Sequence, residues 1–514
     1  MSRKYRAMRT ITTLGLSTGL AVVACGPVAT VSLNDAYCAN RTGDDWCAEQ
    51  YPDGSRPYCV WGTWETCGRS PARDGCVEQR PETDECYSPC GGELQAIDDA
   101  TCLEVEASSS GSSTGTMGSE TGSESSESGT TGTMPCMGNE DCPDAAAPFC
   151  EPDGGECVRC DGLGDGDAAC AELDAGAPLC VAGACVACTP ENPVVCDEQL
   201  LLCDGETNAC APCTEHGQCG SGACELAVGR CFPEDFVVTV DGDGGADYPS
   251  VTAAVAAVDD GGHGVIVVHE LDGGTPYTAA MGLTIAGGKT IALLAAPGEL
   301  PIIQGTGMNP GLRVEGAGTI LYMDGVQVSG AGMQGVVADA AFAWLDRSRI
   351  VGNAGGGIVA QNGAELTVRN CFVGSLGDVV GVEITESSAS VLYSTVSAST
   401  FGMTPALSCT SPIAVEVRNS IIVSQGGTPP DEVSCPGIGI IRSATEAKVG
   451  SFNIGWFADY NGDDFTLTTM GMPPGSEVFA GIAQWNEGDP LTDIDGDPRP
   501  TTAGAADFAG ADVP

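Results

Sequence analysis

Leu345-Asp346-Arg347-Ser348-Arg349-Ile350, Val368-Arg369-Asn370-Cys371-Phe372-Val373, Val391-Leu392-Tyr393-Ser394-Thr395-Val396 and Val417-Arg418-Asn419-Ser420-Ile421-Ile422 are four variations on one phrase. Each places apolar or small side chains at its first, fourth and sixth positions, and Met323/Val326/Val328 opens the series one unit earlier. The fourth-position residues lie 22, 23, 23 and 26 residues apart. At that period one turn of chain cannot bury its apolar face alone and stacks on the next. Small residues dominate the middle column, as a right-handed parallel β-helix requires, because its coils stack at about 4.8 Å and like side chains form ladders inside. The thiol of Cys371 shares that column and is expected to point inward, free and unreactive, as a small buried hydrophobe.

Outward from this core the same style persists. Gly264-Val-Ile-Val-Val-His269 and Lys289-Thr-Ile-Ala-Leu-Leu294 are strand-like runs between Gly, Asn, Asp and Ser turns. The expected fold class is therefore all-β, a right-handed parallel β-helix solenoid over residues 232–514, preceded by small disulfide-rich modules. Cys409 and Cys435 bracket the stretch with Asn419-Ser-Ile-Ile422 and the Gly426-Gly-Thr-Pro-Pro430 loop, in keeping with the lengthened 26-residue spacing there, and neighbour turn-forming residues, so they are the natural disulfide pair of this region.

Residues 136–231 hold sixteen cysteines in four quartets, 136/142/150/157, 160/170/180/185, 188/196/203/210 and 213/219/224/231, which meet at Cys-x2-Cys steps. Thiolate-bound zinc is one reading of such steps. An oxidising compartment and variable loop lengths favour eight disulfides, within or between quartets. Residues 107–135 are nearly all Ser, Gly, Thr and Glu and read as a flexible linker. Residues 25–106 form another disulfide-rich module, with cysteines at 38, 47, 59, 67, 76, 86, 90 and 102. Its Trp46, Trp61 and Trp64, beside Tyr37, Tyr51 and Tyr58, are either a ligand-binding patch or the module's small core.

Residues 1–24 carry a basic start at Arg3, Lys4, Arg6 and Arg9 and then an apolar run, the pattern of a signal peptide. The ending Val22-Val23-Ala24-Cys25 resembles the lipobox of bacterial lipoproteins, which implies lipidation of Cys25 and a membrane partner through that lipid anchor. With 28 cysteines and three histidines, the chain suits an extracytoplasmic site in the cell envelope, and Gly26 after the lipidated cysteine points to the outer membrane. Lys plus Arg total 20 against 70 Asp plus Glu, a formal charge of −50. Such a surface repels phosphate backbones, so no nucleic acid is expected as partner.

Two further stretches resemble parts of exported pectin-lyase-like β-helix proteins. Tyr248-Pro-Ser-Val-Thr-Ala-Ala-Val-Ala-Ala-Val258 looks like the short helix that caps their first coil. Leu491-Thr-Asp-Ile-Asp-Gly-Asp-Pro-Arg-Pro500 with Ala506-Asp-Phe-Ala-Gly-Ala-Asp-Val-Pro514 is similar to their closing motif, and Asn419-Ser-Ile-Ile422 matches a phrase of the same family. The family is united by fold and export, and its members range from polysaccharide lyases to proteins without activity.

The residues that could carry such chemistry have competing structural readings. Asp259-Asp260-Gly-Gly-His263-Gly264 resembles polygalacturonase elements, but there the carboxylates come from different coils, and here they share one turn. Asp346, Arg347 and Arg349 on one coil, with Asp324, Arg369 and Arg418 on its neighbours, form either an acidic-sugar strip or cross-strand charge pairs. Asp241/Asp243/Asp247 and Asp493/Asp495/Asp497 are candidates for a structural calcium, or simple Asp-Gly turns. No other cofactor and no catalytic residue is expected. The leading function is non-enzymatic display, adhesion or ligand binding, with a glycan or surface protein as partner, and the alternative is a polysaccharide-active lyase or glycosidase.

Overall fold

The computed structural model describes residues 47–48, 58–59, 76–77, 94–98, 101–104 and 136–514, apart from 143–146, 152–154, 376, 399–403 and 426–431. The expected signal peptide, Cys25, the expected linker 107–135, Trp46, Trp61, Trp64, Tyr37 and Tyr51, and residues 426–430 lie outside the described residues. Two compact units are present, residues 1–128 and 129–514. In the first, Tyr58–Cys59 pairs antiparallel with Cys76–Val77, Leu94–Asp98 pairs with Thr101–Glu104, and Cys47 is bonded to Cys76.

The cysteine array of the second unit repeats one device four times. In every quartet the third and fourth cysteines sit directly opposite each other on a short hairpin: Cys150 and Cys157, Cys180 and Cys185, Cys203 and Cys210, Cys224 and Cys231. The first cysteine bonds to the third and the second to the fourth throughout, so all eight bridges stay within their quartets. The three clusters of metal-ligating atoms found among the described residues are all cysteines spent in these bridges, which removes the zinc reading for them.

The solenoid runs from Val237 to Thr445 as three parallel sheets. The first sheet has nine strands, from Val237–Val240 through Phe342–Asp346 to Gly439–Ile441, the second has eight, and the third has seven. Val251–Ala257 forms the capping helix, its first turn closed by Ser250 Oγ accepting the Ala253 N–H, and Val251, Ala254 and Val255 face the first coil.

The recurring phrase turns the corner between the first and second sheets. Its first positions stand in register, Met323, Leu345, Val368, Val391 and Val417, as do its sixth, Val328, Ile350, Val373, Val396 and Ile422. All fifteen members of the trios, the middle column included, have no exposed surface. Stacking demands a sharp bend in every coil, and the residue before the middle column adopts a left-handed conformation each time: Gly325, Arg347, Asn370, Tyr393, Asn419 and Arg442. The bend would strand backbone amides in the core, and the middle column receives them. Cys371 N–H donates to Ser394 Oγ (3.1 Å), Ser394 N–H to Ser420 Oγ (3.1 Å) and Ser420 N–H to Ser443 Oγ (3.0 Å). Cys371 is the one free cysteine among the described residues, and burial pushes its thiol pKa well up.

The coils stop at Thr445, short of the 232–514 span expected from sequence. Residues beyond fold back along the solenoid: Trp456, Phe457, Tyr460, Phe465 and Phe479 pack on Val351, Phe372, Tyr393, Ile421 and Val423, which point outward from the second sheet and its corner. The closing motif is thus a strap on the flank of the coils. Its Arg499 lies 4.1 Å over the Tyr393 ring and donates to Gly510 O (2.9 Å).

Candidate functional site

The first sheet carries the site on its outer face. Running down that face, one column reads Val265, Ala292, Tyr322, Trp344, Thr367, Ser390, Glu416. A parallel column reads Val267, Leu294, Asp324, Asp346, Arg369, Leu392, Arg418. Outward positions of a solenoid are normally wet and polar. The apolar start of both columns is explained by the fourth cysteine quartet, whose Ala223, Leu226, Ala227 and Phe232 pack on Val265, Ala292, Leu294 and Tyr322. Phe232 meets Tyr322 edge-on with ring centroids 5.9 Å apart, and Glu225 of the same hairpin reaches His263 at 3.5 Å.

Where the columns change character, the quartet leaves the sheet and a cavity of about 670 Å³ opens, within the usual size range of ligand sites. Its floor is Asp324, Trp344, Asp346, Arg347, Arg369 and Asn370 from the coils. One wall is Cys213 to Gly217 with Leu226, and the other is the strap segment from Trp485 and Glu487 to Thr492. Asn370 ties floor to strap by donating to Thr492 O at 2.8 Å.

The floor charges are already engaged. Arg347 donates through Nε to Asp324 (2.8 Å) and through Nη2 to the same carboxylate. Arg369 likewise grips Asp346 of the preceding coil (Nε, 2.9 Å), and Arg418 grips Asp489 of the strap (Nη1, 2.8 Å). Asp324 and Asp346 are 6% and 4% exposed, so these charge-assisted forks neutralise carboxylates that could not stay buried alone. Of the two readings of this strip, the geometry is that of cross-strand pairs. Arg349 belongs elsewhere: it bonds Asp495 of the closing motif (2.5 Å) and covers Phe372.

His216 enters from the wall. It is 8% exposed, its Nδ1 accepts the Cys224 N–H (3.0 Å), and burial lowers its pKa, so the ring is neutral with its proton on Nε2. That N–H and the Trp344 Nε1–H are both buried without an acceptor on the protein. Trp485 is fixed differently, its Nε1 donating to Pro490 O (3.0 Å).

The other sequence candidates lie apart from this cavity. Asp259 and Asp260 occupy the turn after the capping helix, where Gly262 N–H bonds Asp259 O, and exposed Asp260 sits 3.8 Å from Lys289. No second carboxylate from another coil joins them among the described contacts. Asp241 accepts the Asp243 N–H (2.8 Å), Asp243 the Asp272 N–H (2.6 Å) and Asp247 the Thr239 N–H (2.9 Å). Asp493, wholly buried, collects the N–H groups of Asp495 (2.9 Å), Asp497 (2.8 Å) and Val513 (2.8 Å). These carboxylates accept from backbone amides, as turn residues do, and among the described residues neither trio is a cluster of three converging ligand oxygens. Cys409 and Cys435 are joined by a disulfide at the corner of a late coil, Cα to Cα 4.5 Å.

Sequence reasoning named Asp324, Asp346, Arg347 and Arg369 of the floor and missed Trp344, Asn370 and both walls. His216, Trp485 and Asp489 come from segments more than a hundred residues from Trp344 or far beyond its coil, and no spacing rule links them. The available signal was the outward apolar column ending at Trp344, which marks a face that must be covered.

Among the described residues no helix is long and apolar enough to cross a membrane, and the many disulfides place the chain in an oxidising, extracytoplasmic setting. No curated protein matches the chain. Residues 120–237 match a family described as a family of unknown function (DUF8331), a span that takes in all four quartets.

Proposed function

We propose that this chain is an exported cell-envelope lipoprotein, anchored through Cys25 in the outer membrane, which displays a non-enzymatic ligand-binding site on a pectin-lyase-like β-helix. The observation that carries the reading is the cavity on the first sheet: three separate segments enclose it, its buried carboxylates Asp324, Asp346 and Asp489 are all committed to arginines, and only the exposed Glu215 and Glu487 at its edge are not. A general acid or base needs a proton-accepting oxygen free to reach substrate, and a lyase needs an unpaired Arg or Lys beside a bound cation. Binding needs only shape, aromatic surface and a few fixed polar groups.

The anchor rests on the charged start, apolar run and Val-Val-Ala-Cys25 order, together with the oxidised cysteines. Expressed in a Gram-negative host with labelled fatty acid, the full chain should carry label in the outer-membrane fraction, and Cys25→Ser should lose it. For the site, the full oxidised chain should bind a component of a glycan and surface-protein panel without consuming it. Appearance of unsaturated or shortened products, lost on Arg347→Ala, would instead establish the enzyme reading.

A further inference from the structure

We propose that the cavity takes a short neutral oligosaccharide, a reading that rests on the cavity being the ligand site. Three observations select the chemistry. Two side chains of the lining, His216 through Nε2 and Trp344 through Nε1, carry N–H donors that find no acceptor on the protein, which favours an occupant that presents acceptors. The lining counts five carboxylates, Glu215, Asp324, Asp346, Glu487 and Asp489, against the guanidiniums of Arg347 and Arg369, within a chain of formal charge −50. A uronate or phosphate entering this field is repelled.

A cationic occupant fares no better. It would meet two guanidiniums and two N–H donors, while the buried carboxylates are already forked to arginines. Sugar hydroxyls meet both conditions, because each accepts from an orphan N–H and donates to a carboxylate oxygen with a lone pair to spare. The indoles of Trp344 and Trp485 supply the apolar planes on which the C–H face of a pyranose ring rests, and the Pro490 bond holds Trp485 in place. A volume of about 670 Å³ suits a few rings in a row.

The test uses the full oxidised chain and calorimetric titration with gluco-, manno- and N-acetylglucosamine oligosaccharides, with oligogalacturonate and an oligolysine peptide as charged counterparts. Gly217 borders the cavity and has nothing within 4 Å of where a Cβ would stand, so Gly217→Trp obstructs the space without straining the fold. Trp344→Phe keeps the ring and removes the donor. A neutral oligosaccharide is expected to bind, to lose binding in Gly217→Trp, and to bind about tenfold more weakly in Trp344→Phe at an unchanged unfolding temperature. Binding of oligogalacturonate or oligolysine alone, abolished by Gly217→Trp, overturns the neutral-sugar proposal and leaves the cavity as the site. Binding of any probe that survives Gly217→Trp overturns the cavity itself. Absence of all binding overturns the proposal as stated.

Discussion

The array and the solenoid solve the same problem with different materials. Among the described residues between 136 and 231 the buried apolar side chains are nine cysteines, Phe149 and Ala223. Little there gains from burial, so order comes from cross-links that restrict the unfolded chain. The solenoid has one bridge, Cys409 to Cys435, and a continuous buried interior made mostly of Val, Ile, Leu and Ala. Its order comes from apolar area removed from water, roughly 25 cal/mol per Å². Cross-links act on sequence-near pairs 11 to 20 residues apart, whereas the apolar ladder joins neighbouring coils over the whole length. Each quartet is therefore its own unit, and the coils are not.

The most forceful way to break this comparison is reduction. With about 2–4 kcal/mol from each of eight bridges, the array should unfold completely in reductant, as read by proteolysis within 136–231. The parallel-sheet circular dichroism of the solenoid should persist. Loss of both together would show that the coils depend on the fourth quartet's cover of Val265, Ala292 and Tyr322.

Inside the solenoid, Leu345→Ala should cost about 2–5 kcal/mol, because Leu345 stacks between Met323 and Val368 and the coils cannot collapse onto the gap. Chemical denaturation reads it directly. A loss under 1 kcal/mol would deny that the interior is rigidly packed.

One step finer is the hydroxyl column. Ser394→Ala removes the acceptor of the buried Cys371 N–H and should cost about 1–3 kcal/mol, while Cys371→Ser, which restores a hydroxyl to the column, should change stability by under about 1 kcal/mol. Equal losses from the two would mean that the column is only filler.

How much of this was legible in the sequence follows from the same contrast. The trios announced the coils because stacking forces each coil to repeat the last, and the quartets announced the modules because cysteines pair locally. Legibility fails where segments distant in sequence meet. In sequence the strap looks like the end of the coil stack, since Asp493 and Arg499 look like a motif but not like a location. What they do depends on Asn370, Tyr393 and Asn419, whose left-handed corner conformations turn their side chains outward to meet it. Asp-x-Asp-Gly-Asp spacing suggests calcium and a turn equally, and only the structure shows the three amides that converge on Asp493 as in a turn.

Acidity should sharpen the difference between strap and array. Burial pushes the carboxyls of Asp463 and Asp512 up to about 6. Their unfolded values are lower, so the folded state binds the extra protons and stability rises as pH falls from about 6 toward 4. An effect on the order of 1 kcal/mol per group, about 2–4 °C, is expected in thermal unfolding, and Asp512→Asn should flatten part of it. Both residues lie in the strap, so hydrogen exchange should slow there and not in the first three quartets.

The smallest effect tests the seam where the two regions meet. His263, in the first sheet, lies 3.5 Å from Glu225 of the last array hairpin, and the hydrogen bond to Glu225 raises its pKa against a partial desolvation that lowers it. A raised histidine stabilises the fold fully below its unfolded value near 6.5 and loses that contribution as pH climbs through the folded value. The side chain is 43% exposed, so water screens the pair and its worth is that of a surface contact. The expected signature is therefore local: between pH 6 and 8, the protection factors of amides in the Cys224–Glu225 and Arg230–Cys231 hairpin, taken relative to intrinsic exchange at each pH, should fall as His263 loses its charge, with those of the solenoid core unchanged. His263→Gln should erase the pH dependence and leave the apolar contact of Phe232 with Tyr322 intact. If the hairpin's protection factors fall with pH just as steeply in that variant, apolar burial alone holds the seam and the charge pair is incidental.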